Sequence, residues 1–232
     1  MEINITFDFR SDTPPGKDPD GLSPTLRRYH KFLWSKPLPS DVYLKLDDTK
    51  KNAYLYHQSA VGEFFLSSDT MIPSFKKEQR LLHVFDQILM EDQETFQRIG
   101  YSIGGMIVFP GNKVDGKMTI NGARGCHPRI KDRFDLTLEC IRRYYSDGHS
   151  PLSDTFARYA DFFKLFKDFE GYTEFFLLQD LVAEDYSAVK FFMPFEDFMK
   201  SPLPRNIESY REYQGLALEF VNSRNRRILQ SY

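Results

Sequence analysis

Charged side chains cluster in the first 21 residues. The stretch 5–21 reads ITFDFRSDTPPGKDPDG, an alternating apolar segment followed by a loop with two adjacent prolines. In a strand, Asp8 and Arg10 would share the face opposite the apolar side chains, roughly 7 Å apart. Asp12 and Lys17 follow in the stiff loop. Lysine and backbone N–H groups bind phosphate and carboxylates bind Mg²⁺, so the stretch predicts an anion or magnesium site.

Two other interpretations apply to the same stretch. It resembles the first strand of the haloacid dehalogenase phosphatases, which ends in Asp-x-Asp-x-Thr, but Arg10 stands where that chemistry needs its second aspartate. The Pro-Pro-Gly loop with its aspartates is also ordinary turn chemistry. Asp8 and Arg10 would then be an ion pair on the sheet surface.

A second group of charges lies in a predicted helix, residues 129–145. Asp132, Asp135 and Glu139 are spaced i, i+3 and i+7, which places them on one helix flank, and Arg142 joins that flank. Three carboxylates on one flank suit a general base or the ligands of a divalent metal for phosphoryl chemistry. We therefore take these three acidic residues as candidate catalytic residues, with Arg142 as a ligand-binding residue.

Arg124 and His127 precede this helix. Helix N-termini bind anions, so these two side chains predict a phosphate or carboxylate pocket. The structural alternative is equally ordinary, because acidic first turns and basic last turns complement the helix dipole. Glu139 and Arg143 are also spaced for an i, i+4 ion pair.

The elements that must position these residues follow an α+β pattern, with strands in the first half of the chain and helices in the second. Alternation predicts strands at 3–9, 42–46, 53–57, 62–68, 102–112 (as a central strand) and 188–195. Helical periodicity predicts helices at 23–36, 74–91, 92–99, 129–145, 151–169 and 206–229. We expect a mainly antiparallel sheet packed against C-terminal helices, one domain over residues 1–232, and an aromatic-rich core built from 22 Phe and 13 Tyr.

The bulk composition excludes several classes of protein. The net charge of −2 gives no global attraction to nucleic acid or to anionic membranes, so either contact would need a local basic patch. No apolar stretch is long enough to span a bilayer, and the N-terminus lacks the pattern of a signal peptide. Two cysteines give no disulfide framework, so we expect a cytoplasmic protein.

Three long stretches carry a resemblance to a known family: residues 9–39, 121–145 (NGARGCHPRIKDRFDLTLECIRRYY) and 158–182. They resemble an uncharacterised family of bacterial proteins, a domain of unknown function. The resemblance covers nearly the whole chain. It implies a bacterial cytosolic origin and a single domain, and it supplies no catalytic residues.

Two functions remain open from the sequence. In the first, the two charged groups meet in one polar cleft that binds a small anionic, phosphate-bearing ligand, as in a hydrolase or transferase that Mg²⁺ assists. In the second, arginine-bearing helices bind RNA or a protein without catalysis. Nucleic acid is the less favoured partner because the net charge is −2.

Overall fold

The computed structural model describes residues 2–49 and 55–231. The α-helices within these ranges are α1 (Pro19–Leu22), α2 (Pro24–Trp34), α3 (Leu82–Phe85), α4 (Met90–Gly100), α5 (Ile120–Cys126), α6 (Phe134–Tyr145), α7 (Ser153–Ala157), α8 (Ala160–Lys164), α9 (Phe169–Phe175) and α10 (Ile207–Ser231). The strands are β1 (Leu55–Ser59), β2 (Gly62–Thr70) and β3 (Met106–Pro110). Short 3₁₀ helices cover Phe9–Asp12, Gln79–Leu81, Ile103–Gly105 and Gln179–Leu181.

The predicted α+β class is confirmed. The three strands form one antiparallel sheet in the order β1-β2-β3. Leu66 at the middle of β2 lies opposite Leu55 of β1 and Pro110 of β3. None of the helices in the described ranges is long and apolar enough to cross a membrane.

The central strand is β2, and the prediction that the 102–112 segment supplies it was wrong. All five residues of β3 are buried although β3 lies at the sheet's edge. A strand that is covered on both faces reads as a continuous apolar run, so periodicity cannot separate it from a central strand. In β2, Phe64, Leu66 and Ser68 are buried on one face.

The N-terminal segment is not the predicted strand 3–9. Its polar side chains bond to the local backbone instead: the Asn4 side chain accepts from the Thr6 N–H, and Asp8 accepts from the Arg10 N–H. Such bonds compete with a sheet ladder. Asp8 therefore caps the 3₁₀ helix Phe9–Asp12, while the Phe9 ring is fully buried.

Several other sequence predictions are wrong. Short apolar runs predict regular helices or strands there, but the backbone does not adopt them. Segment 74–91 forms only a 3₁₀ turn and one turn of helix, and segment 151–169 is broken into short helices. The predicted strands 42–46 and 188–195 contribute only single bridges. Of the predicted strand 53–57, residues 53 and 54 lie outside the described residues, and β1 begins at Leu55.

The helices with clear end signals are confirmed. The Ser23 hydroxyl accepts from the Leu26 N–H and Pro24 takes the first position of α2. Leu26, Tyr29 and Leu33 point into the core, as their spacing predicts. The predicted helix 206–229 is α10, whose inner side packs on α4 and on the 3₁₀ helix Ile103–Gly105.

The core is aromatic, as the composition predicts. Rings pack with centroids about 5–6 Å apart through a cluster formed by Trp34, Phe162, Phe163, Phe166, Tyr172, Phe175 and Phe176. These rings join α2 to helices α8 and α9, so the first and second halves of the chain share one apolar interior.

A fully buried arginine of α10 lies beside this cluster. Arg224 donates to the carbonyl oxygens of Phe176, Gly104 and Met106 at 2.7–3.1 Å. No carboxylate of the described residues pairs with it, and burial lowers its pKa to about 9. At neutral pH the guanidinium therefore stays charged, and carbonyl dipoles hold it.

Replacement of this arginine tests how much the carbonyl cage contributes to stability. We expect Arg224→Met to lower the free energy of unfolding by roughly 3 kcal/mol or more, because several buried carbonyls lose their donor. Arg211→Met, on the exposed side of the same helix, is the matched control and should stay within about 0.5 kcal/mol of the native chain. Urea unfolding measures both; equal stability of the two variants would contradict the assignment.

Candidate functional site

A cleft of about 440 Å³ opens between α4, the segment after β2, and the loop between α5 and α6. Its apolar floor includes Ile72, Phe75 and Phe96, which are also core residues. Its polar lining consists of Thr70, Ser74, Lys76, Lys77, Glu78, Gln97, Tyr101, Lys131 and Asp132. The cleft thus has an apolar base and a charged rim, the usual composition of a small-ligand site.

Behind one wall lies a buried guanidinium. Arg124 of α5 is fully buried, and its Nη1 lies 2.6 Å from Asp69 Oδ2 and 2.9 Å from Asp132 Oδ1. Its Nη1 also donates to the Thr70 carbonyl, and its Nε donates to the Thr137 hydroxyl. One side chain therefore joins the end of β2, the α5–α6 loop and α6.

The loop that carries Asp132 is closed onto α5 by its backbone. The Asp132 N–H donates to the Arg124 carbonyl at 3.1 Å, and Arg124 Nη2 donates to the Asp132 carbonyl at 2.6 Å. Lys131 and Asp132 both have positive φ, 50° and 66°. Consecutive left-handed residues other than glycine are strained, and such strain is tolerated where surrounding contacts over-determine the loop.

A third carboxylate reaches the same network from the N-terminal loop. Asp20 lies on α1, which packs against β2, and its buried Oδ1 has no hydrogen-bond partner in the described part of the chain. Asp69 and Asp132 thus pair with a single guanidinium, and the charge of Asp20 also acts on it. Burial, together with the charges of Asp69 and neighbouring aspartates, raises the pKa of Asp20 well above its usual range.

The pKa of the second carboxyl group, Asp69, lies close to neutral pH. Burial and the nearby charge of Asp132 raise the pKa of Asp69 to about 7, although Arg124 opposes that shift. A carboxyl group that is half protonated near pH 7 can give or accept a proton under physiological conditions. Its neighbour Asp132 presents a side chain that is 32% exposed, at the cleft wall.

Tyr101 links this network to the first predicted constellation. Burial, with Asp20 next, raises its pKa to about 12, so the phenol is a hydrogen-bond donor in the cleft. The Arg10 guanidinium lies 5.7 Å from the centre of the Tyr101 ring and donates to Gln97 at 3.0 Å. Arg10 also pairs with Asp8 and with Glu94, each at 2.6 Å.

The opening stretch therefore acts on the Arg124 network through the charge of Asp20, whereas Asp8 pairs with Arg10. Asp12 caps α2 by accepting from the Ser23 hydroxyl and the Thr25 N–H. Lys17 is exposed and forms no ion pair among the described residues. The binding roles of both stay predictions, and neither residue lines the cleft.

Asp132, Asp135 and Glu139 do not share one flank of a helix, although their spacing predicts it. Helix α6 begins at Phe134, because Lys131 and Asp132 have left-handed backbones that end any helix before it, so Asp132 lies in a turn. Asp135 is buried and pairs with Arg133, and it accepts from the Phe192 N–H at 2.9 Å. The catalytic role of Asp135 stays a prediction.

The remaining predicted site residues have structural partners outside the cleft. Glu139 accepts from both Arg142 and Arg143 at 2.7–2.9 Å, and these bonds lower its pKa despite burial. His127 ends α5 and accepts from the Arg129 N–H, and burial lowers its pKa. Their roles in catalysis or binding stay predictions.

Sequence reasoning did not select Asp69, Tyr101, Lys76 or Lys77 for the site. Asp69 lies near the end of β2, where the alternation of apolar and polar residues gives way to polar residues only. That change is the sequence feature that could have pointed to Asp69. The two lysines and Tyr101 belong to segments that meet only in the folded chain. No group of three or more histidine, cysteine or acidic side chains in residues 2–49 and 55–231 is arranged to hold a metal ion.

Fold and site together define an α+β protein with a charged cleft over a buried carboxylate–arginine network. The chain belongs to a family of unknown function, DUF6994, whose model matches residues 3–228. This membership confirms the resemblance to a domain of unknown function. Neither the comparison with curated proteins nor that with solved structures found a match.

The raised pKa of Asp69 predicts a pH-dependent stability. Its pKa is about 7 in the folded chain against an ordinary 3.8, so the folded state binds more protons between these values and stability falls as pH rises through them. From pH 5 to pH 8 we expect the native chain to lose at least about 1.4 kcal/mol more than Asp69→Asn, the value of one pKa unit.

Urea unfolding at pH 5, 6, 7 and 8 measures this difference. Asp86→Asn, an exposed aspartate without a side-chain partner in the described ranges, is the control and should keep the native slope. Parallel pH profiles for the native chain and Asp69→Asn would show that Asp69 titrates normally.

Proposed function

We propose that this chain is an enzyme, a hydrolase or transferase that binds a small phosphate-bearing substrate in the cleft and uses its carboxylates for proton transfer. One observation carries the proposal: a buried guanidinium at the wall of an open cleft pairs with Asp69 and Asp132, and the charge of Asp20 also acts on it. Burying charged groups costs stability unless they are well paired. A carboxyl group with a perturbed pKa, such as Asp69 beside this cleft, is typical of sites that do acid–base chemistry.

Lysines of the segment after β2 would bind the anionic group of the substrate. Lys76 and Lys77 line the cleft, are exposed, and form no ion pair in the part of the chain that the structure describes. Lys131 also lines the cleft but pairs with Glu78 at 2.8 Å. Two free ammonium groups and the Asp132 carboxylate in one cleft would orient a substrate with its phosphate toward the lysines.

Asp132 is the catalytic residue of the proposal, because its carboxylate lines the cleft whereas Asp69 lies behind it. As a general base it would take the proton of the attacking water or hydroxyl group. Arg124 and Asp69 position Asp132, and the near-neutral pKa of Asp69 lets the network share the proton that Asp132 gains. Burial and the charges of neighbouring aspartates raise the pKa of Asp20 well above its usual range, which favours its protonated form.

We also propose that Mg²⁺ assists the reaction, and the activity assay described below tests this. Mg²⁺ usually binds through one or two carboxylates together with substrate phosphate oxygens. Asp132 and a substrate phosphate would satisfy that pattern without a preformed cage.

The alternative function, RNA or protein binding through arginine-bearing helices, has less support. Much of the predicted arginine face is neutralised locally, since Arg133, Arg142 and Arg143 all pair with acidic residues of α6. A cytoplasmic, bacterial setting is part of our proposal; the free thiols of Cys126 and Cys140 support a reducing compartment.

A panel of phosphate monoesters, sugar phosphates and nucleotides tests the proposal, with MgCl₂ or EDTA in parallel. A true ligand raises the melting temperature by mass action, and a substrate releases phosphate or transfers it. Asp132→Asn should lower turnover at least about 100-fold while substrate still raises the melting temperature. Lys76→Gln with Lys77→Gln should raise KM roughly 10-fold with less effect on kcat.

Lys113→Gln with Lys117→Gln removes the same charge from exposed lysines away from the cleft and should leave both parameters unchanged. The proposal fails if no member of the panel is turned over, or if Asp132→Asn is as active as the native chain. A salt-sensitive shift with RNA alone would favour the alternative function.

A further inference from the structure

A second cavity lies against a different face of α4. Residues 96, 97 and 100 of this helix line the cleft, whereas Arg98 and Ile99 line a groove of about 260 Å³. Arg226 and Asn222 of α10 form the facing side, and Ile5 contributes apolar surface. We call this cavity the Arg98–Arg226 groove.

The groove carries two positive charges and no negative charge. No acidic residue lines it, and neither arginine has an acidic partner among the described residues. Arg226 makes one side-chain bond, to the Ser223 hydroxyl at 2.8 Å. The next residue shows the contrast, because Arg227 forms a two-bond pair with Asp180 at 2.8–3.0 Å.

The sequences of α4 and α10 explain why Arg98 and Arg226 have no acidic partner among the described residues. Glu94 lies four residues before Arg98 and is its natural helical partner, but Arg10 holds the Glu94 carboxylate at 2.6 Å. On α10, the position four residues before Arg226 is Asn222 and the position four residues after it is Gln230, both uncharged. Two guanidiniums are thus left unpaired on one groove.

The base of the groove is fixed. Asn225 is buried, its side-chain oxygen accepts from the Gly104 N–H at 2.7 Å, and its amide donates to the Ser102 hydroxyl at 2.8 Å. Ser102 in turn donates to the Ile99 carbonyl at 2.7 Å. A ligand would therefore meet a base that needs no rearrangement, which lowers the cost of binding.

We propose that the Arg98–Arg226 groove is a second binding site, for a phosphate group carried free or on a small metabolite. Guanidinium groups bind phosphate through paired N–H···O bonds, and the Asn222 amide adds a neutral donor. The volume is below the range of about 300–1,000 Å³ typical of drug-sized ligands, so the occupant is small. This inference does not depend on the function proposed for the cleft.

Isothermal titration with inorganic phosphate and with glycerol 3-phosphate, at constant ionic strength, tests this site. The double variant Arg98→Gln, Arg226→Gln should weaken the groove's affinity at least about 10-fold, because two charge-assisted contacts are lost. Arg80→Gln with Arg211→Gln removes two exposed arginines elsewhere and should bind like the native chain. Tighter binding of glycerol 3-phosphate than of phosphate would identify the metabolite-borne form.

The cleft variant Lys76→Gln, Lys77→Gln separates the two sites. Binding that persists in this variant and is lost in the groove variant supports the groove. Loss of all phosphate binding in the lysine variant, equal weakening in the arginine control, or no phosphate binding by the native chain would each overturn the inference. Circular dichroism of the groove variant checks that it is folded.

Discussion

The buried Arg124 guanidinium is the interaction on which the site depends. A charge removed from water must be paired, and here the partners come from the end of β2 and the loop before α6. These two segments are far apart in the sequence. By holding them together, Arg124 sets the position of Asp132 and therefore the shape of the cleft wall.

The chain buries a second guanidinium in a different way. Comparing the two shows which arrangement serves stability alone and which can also take part in proton transfer. Arg224 is held by carbonyl oxygens, which do not titrate, so its cage is the same at every pH near neutral. Arg124 is held by the carboxylates of Asp69 and Asp132, and the pKa of Asp69 is raised. The charge around Arg124 can therefore change with pH near neutral, and a carboxyl group with a perturbed pKa beside a cleft points to function.

The sequence predicts those parts of the fold that depend on local rules. Ser23 and Pro24 mark the start of α2, and helical periodicity extends through α10 because both are properties of neighbouring residues. The strand predicted at 3–9 fails because Asn4 and Asp8 satisfy the backbone locally, which alternation cannot reveal. Arg124 and Asp132 could be selected by residue type. Asp69 could not, since it meets Arg124 across 55 residues of sequence.

The charged opening stretch acts on both cavities through one side chain. Arg10 donates to Gln97, which lines the cleft, and holds Glu94, which would otherwise neutralise Arg98 at the groove. Helix α4 lies between the two cavities and is anchored to α10 by Phe96 against Tyr213, with ring centres 6.0 Å apart. A helix fixed in this way transmits little movement. The N-terminal charges therefore act on each cavity electrostatically, and we expect the two proposed sites to bind independently unless a ligand displaces Arg10 itself.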